Sequence, residues 1–122
     1  MIPSIDVFYA NKAFNIINRG KTNLYLWGDR LGSGRRSIDS PPVTITPNEG
    51  AYHLDAEGID KELLEKLGNN GEMRIPFELY VSGEDKKKRI INYELWVRTK
   101  DGVFKADTRN LGTEEKDFTR LK

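Results

Sequence analysis

Apolar and polar positions alternate most clearly in the second half of the chain. Ile75, Phe77, Leu79 and Val81 interleave with Pro76, Glu78 and Tyr80, and Ile91, Tyr93, Leu95 and Val97 interleave with Asn92, Glu94, Trp96 and Arg98. A period of two places each set on one face of a strand. A third run, Val103 to Thr108, follows the turn signal Asp101-Gly102. Three consecutive strands joined by short polar turns predict an antiparallel meander, with one buried face, between Met73 and Asn110.

Shorter strands are expected upstream. Residues 4–9 alternate after Pro3, which suits an edge position. Residues 13–18 put Phe14 and Ile16 on one side and Ile17 on the other, and residues 22–27 put Leu24 and Leu26 opposite Tyr25 and Trp27. Residues 28–42 are rich in glycine, proline and polar side chains and predict a long loop. Short strands follow at 43–46 and 51–54. A connector helix is predicted over about 60–67, with Asp60 as its N-cap, Leu63, Leu64 and Leu67 as its apolar stripe, and Gly68-Asn69 as its stop. Glu62 and Lys66 stand four apart on it in the favourable order.

About eight short strands with frequent turn signals predict a mainly β protein, an antiparallel β-sandwich, with a small closed β-barrel as the alternative. Residues 1–111 are expected to form one β-sandwich domain. Residues 112–122, highly charged, are expected to be a frayed C-terminal tail.

Composition narrows the chemistry. The net charge is +1, from 20 Lys+Arg against 19 Asp+Glu, so no global field favours nucleic acid or an anionic membrane. With no cysteine, thiolate chemistry, disulfides and cysteine metal sites are excluded. No apolar run approaches the ~20 residues of a membrane-spanning helix, and the first residues lack a signal-peptide pattern. A cytoplasmic location without membrane contact is the expectation.

Candidate chemistry is sparse. The one histidine, His53, is out of phase with Tyr52 and Leu54 and is expected to face solvent. The loop carboxylates Asp29, Asp39, Asp55, Glu57 and Asp60 lack calcium-loop spacing and read as turn and cap chemistry. Gly32-Ser33-Gly34-Arg35-Arg36 offers backbone N–H groups and two guanidiniums to a phosphate, but no helix follows it. Lys86-Lys87-Lys88-Arg89 follows Glu84-Asp85 and reads as a solvated turn. Tyr25, Trp27, Tyr80 and Trp96 share the face opposite the apolar stripes, with Arg98 beside Trp96, as a candidate aromatic surface for a partner. No catalytic residue, metal ligand or cofactor site is assigned.

The order of features from Phe14 to Leu54 resembles immunoglobulin-like sandwiches of the bacterial and MSP/ASH type. The residues that carry it are Phe14, Ile16, Asn18, Gly20, Leu24, Leu26, Ile45 and Pro47, with Tyr93, Leu95 and Val97 before Asp101-Gly102 like a late strand of that fold. The resemblance implies a scaffold or interaction module, non-catalytic and part of a larger bacterial protein or assembly, that binds another protein. The alternative is a sensor of a small nucleotide-type anion in a bacterial effector. The binding residues expected from the chain are Tyr25, Trp27, Arg35, Arg36, Tyr80, Trp96 and Arg98, with no nucleic-acid partner.

Overall fold

In the computed structural model, residues 4–10, 12–32, 37–55, 63 and 65–120 are described. Eight strands run in chain order: β1 (Ile5–Ala10), β2 (Ala13–Asn18), β3 (Leu24–Leu31), β4 (Ser37–Ile45), β5 (Tyr52–Asp55), β6 (Gly71–Ser82), β7 (Lys88–Lys100) and β8 (Val103–Glu115). They form two antiparallel sheets, β1-β2-β5 and β4-β3-β6-β7-β8. The sheets pack as an open β-sandwich and do not close into a barrel.

The alternating stripes form the interior between the sheets. Phe14 and Ile16 of β2 meet Leu24 and Leu26 of β3, Phe77, Leu79 and Val81 of β6, and Ile91, Tyr93, Leu95 and Val97 of β7. The Phe14 and Phe77 rings stack at 4.3 Å and tie one sheet to the other. Leu63 is buried in the same core, and residues 63 and 65–67 are helical, ending at Gly68 with φ +69°. The rest of the expected helix, including Asp60, Glu62 and Leu64, lies outside the described residues.

The predicted meander is present and longer than expected. Asp101 (φ +51°) and Gly102 (φ +79°) form its two-residue β7–β8 turn, where both central positions need positive φ. Asn18 shows why an asparagine and a glycine stand two apart at 18 and 20. Buried at the end of β2, it donates through Nδ2 to the carbonyls of Thr22 (2.8 Å) and Ile45 (2.9 Å), and its Oδ1 accepts from Gly20 N–H (2.9 Å). One side chain thereby joins the crossover between the sheets to the end of β4.

Two segments depart from the sequence-based expectation. The loop predicted at 28–42 is largely strand, because β3 continues to Leu31 and β4 begins at Ser37. A bulge between Leu26 and Gly28 leaves residues 39–42 out of the β3–β4 register, so Pro41 and Pro42 occupy an edge strand where no ladder N–H is needed. The expected tail is also ordered as far as the described residues run. β8 extends to Glu115, and a short 3-10 turn, Phe118–Arg120, buries Phe118 completely.

Candidate functional site

The outward face of the five-stranded sheet carries the aromatic residues singled out in the sequence, and the structure divides them into two groups. Near one end, Trp27 donates from Nε1 to Ser82 Oγ (2.9 Å), with the Lys88 ammonium 5.7 Å from the ring centroid. Tyr80 is fully buried because Phe118 stacks on it at 5.3 Å, and Phe118 also meets Trp27 at 6.2 Å. Tyr80 is thus packed under the C-terminal turn and presents no surface. Tyr25, half-buried, donates to Glu84 Oε1 (2.7 Å), and this bond is the main cause of its raised pKa.

Trp96 stands at the other end of that face. It pairs with Arg74 across β6 and β7, six positions from Tyr80 and therefore about 20 Å along the strand. The Arg98 guanidinium lies 4.1 Å and the Arg74 guanidinium 5.4 Å from the Trp96 ring centroid. Each cation has a carboxylate: Arg74 pairs with Glu94 (3.2 Å), and Arg98 pairs with Asp107 on β8. The result is a half-buried aromatic ring held between two neutralised guanidiniums. A cation over an aromatic face is worth roughly 0.5–1 kcal/mol at such a position.

A cleft that the sequence reading missed opens at one end of the sandwich. Its volume is about 450 Å³, and its walls, mostly carbon, come from the β2–β3 connection, the β6–β7 turn and Ser4. Leu24 and Arg89 are among its lining residues. Arg89 continues the inward series of Ile91, Tyr93, Leu95 and Val97, and its side chain is 5% exposed. It had been expected in a solvated turn, and it is buried because Asp85 receives it at both oxygens, 3.3 Å from Nη1 and 2.7 Å from Nη2. The phase of Arg89 with the apolar stripe was the signal that could have shown this.

The Arg89 guanidinium, then the Lys87 backbone N–H, hold the Asp85 carboxyl at about 2 against an ordinary 3.8. A carboxyl depressed on folding contributes stability above its unfolded pKa and loses it as pH falls through the folded value. Asp85→Asn is therefore expected to lower the urea midpoint relative to the wild type at pH 6. The gap should narrow between about pH 4 and pH 2. A gap unchanged at pH 2 would mean that Asp85 acts other than by its charge.

The other sequence candidates contribute less. Arg35 and Arg36 lie outside the described residues, as do Glu57 and Asp60. His53 is exposed as expected, with Nδ1 2.5 Å from Oδ1 of the buried Asn15. The Asp29 carboxyl is pushed up by burial and, less, by the Asp39 charge. Among the described residues, no three His, Cys, Asp or Glu side chains gather as a metal ion would require, and no helix is long and apolar enough to cross a membrane.

No protein-family model, curated protein or solved structure matches the chain.

Proposed function

We propose that this chain is a non-catalytic interaction module that engages a protein partner through the Arg74, Trp96 and Arg98 end of its five-stranded sheet. The observation that supports it is the half-buried Trp96 ring between two guanidiniums already matched by Glu94 and Asp107. Tryptophan and arginine are the side chains most enriched among residues that dominate protein interfaces. A locally balanced charge favours a protein surface of mixed polarity over a polyanion. The nucleotide-type sensor is less well supported at Arg98, since a phosphate would have to displace Asp107.

The immunoglobulin-like resemblance fits this proposal at the level of strand order. Here β1-β2-β5 faces β4-β3-β6-β7, and the chain changes sheet after β2, β4 and β5. That is the order in which an immunoglobulin-like Greek key fills its two sheets, with β8 as an added strand.

The test uses the full chain as bait and follows one captured protein quantitatively. Trp96→Ala should weaken its binding by roughly 30-fold or more, the effect of losing an interface residue worth about 2 kcal/mol. The melting temperature should stay within a few degrees of the wild type, because the ring is not in the core. Undiminished binding by a folded Trp96→Ala protein would overturn the proposal.

A further inference from the structure

The end cleft is separate from the Trp96 surface, and what lines it points to a ligand of a different kind. Its volume of about 450 Å³ falls within the ~300–1,000 Å³ typical of small-molecule sites. A benzene ring occupies a cavity of roughly 150 Å³, so the cleft has room for a fused two-ring system or a medium acyl chain. Its mostly carbon walls favour an apolar body.

The charges around the cleft decide the rest of the ligand. Asp85 is held by Arg89, Glu84 receives the Tyr25 hydroxyl, and Arg19 pairs with Asp6 at 2.8 Å. Lys21, an exposed lining residue, makes no ion pair among the described residues. Among the described lining residues, the exposed Lys21 is thus the ammonium without a carboxylate, and both lining carboxylates already have donors. The walls are also fixed in place: Asn18 bonds Thr22 and Gly20, Arg19 N–H bonds Ser4 C=O (2.8 Å), and Lys86 N–H closes the opposite turn on Gly83 C=O (3.0 Å). A cleft built from bonded backbone is largely pre-formed, which lowers the entropy lost on binding.

We infer that this cleft binds a small amphiphilic anion, with its apolar body between the β2–β3 connection and the β6–β7 turn and its acidic group on Lys21. The inference does not rest on the partner-binding proposal, since Trp96 lies at the far end of the outer face.

The probe is 8-anilinonaphthalene-1-sulfonate, a fused two-ring naphthalene carrying an anilino ring and one sulfonate, titrated by fluorescence into the folded protein. Thr22→Trp places a large side chain at the rim of the cleft from an exposed position, and Lys21→Glu reverses the rim charge. Saturable one-site binding is expected, reduced at least tenfold by Thr22→Trp and severalfold by Lys21→Glu, and unchanged by Trp96→Ala. The neutral parent N-phenyl-1-naphthylamine, which lacks the sulfonate, should bind the wild type more weakly than the probe does, and bind Lys21→Glu as well as the wild type. Binding that Thr22→Trp leaves intact in a folded protein would overturn the site. Stabilisation by nucleotides with none by the dye would overturn the ligand class. Should Thr22→Trp fail to fold, a Ser4→Trp substitution blocks the same cleft from the residue that precedes β1.

Discussion

Replacing Phe118 with alanine is expected to destabilise the protein by about 3–5 kcal/mol, the range for a buried aromatic ring. The ring is 0% exposed and joins Tyr80 and Ile90 in the outer cluster, against which Trp27 and Ile38 also pack. Exposed polar contacts also hold the turn. Lys116 N–H donates to Lys88 C=O (3.0 Å), Lys88 approaches Asp117 at 3.7 Å, and Asp117 Oδ1 accepts from Thr119 N–H at 3.1 Å. Without the ring these exposed contacts are too weak to keep residues 116–120 docked, because exposed ion pairs contribute roughly 0–1 kcal/mol.

Two measurements check this. The urea midpoint reports the loss of stability. Trp27 emission, read in a Trp96→Phe background, should shift to the red as its cover leaves. A chain ending at Glu115 should behave like Phe118→Ala. A loss below about 1 kcal/mol, with unshifted emission, would show that the outer cluster holds without its C-terminal plug.

The second large effect is expected at Gly28. A Cβ there would lie 1.7 Å from the Ser37 carbonyl oxygen and 2.7 Å from its carbon, both backbone atoms of the neighbouring strand. Backbone cannot swing aside as a side chain can, so Gly28→Ala must push β4 off the bulge. A loss of about 3 kcal/mol or more is expected, at the top of the usual range for overpacking. Faster hydrogen exchange should be confined to β4 and the part of β3 facing it. Gly83→Ala is the control: its nearest neighbour would be Asp85 Oδ1 at 3.5 Å, ordinary contact, so it should change stability by less than about 1 kcal/mol. Equal effects of the two substitutions would remove the close approach as the reason for glycine at position 28.

These two positions also show how far the sequence could be read. The inner stripes of β6 and β7 were legible because each alternates over several residues, and their burial follows. Asp101-Gly102 named its own turn, since few other residue pairs adopt two successive positive φ values. Gly28-Asp29 and Pro41-Pro42 were misread as loop punctuation. The glycine serves a close strand approach within β3, and the prolines fall where the bulge leaves β4 unpaired, two circumstances that only the pairing partner reveals. Phe118 was a lone aromatic in a charged segment, with no periodicity to mark it, and Tyr80 followed the polar phase of β6 yet became core once Phe118 covered it. Of the candidate site, Trp96 and Arg98 were found together from adjacent outward positions. Arg74 was missed because its partnership with Trp96 depends on the β6–β7 register. The cleft was missed because turns from distant parts of the chain enclose it.

The order of strand pairing has a consequence for synthesis on the ribosome. The meander β6-β7-β8 is joined by short turns, and closing such loops is fast and entropically cheap. The pairings that complete the sandwich span far more chain: Trp27 reaches Ser82 across 55 positions, and Thr108 reaches the Val7 carbonyl across 101. Of the first three strands to emerge, only β1 and β2 can form their mutual pairing at once. β3, with Leu24 and Leu26 on one face and Trp27 on the other, must wait for β6 to be translated before its inner edge is covered. Until then the nascent chain carries an apolar strand with a free edge, the kind of segment that chaperones hold. Native structure should therefore appear late and nearly all at once, when the C-terminal half leaves the exit tunnel.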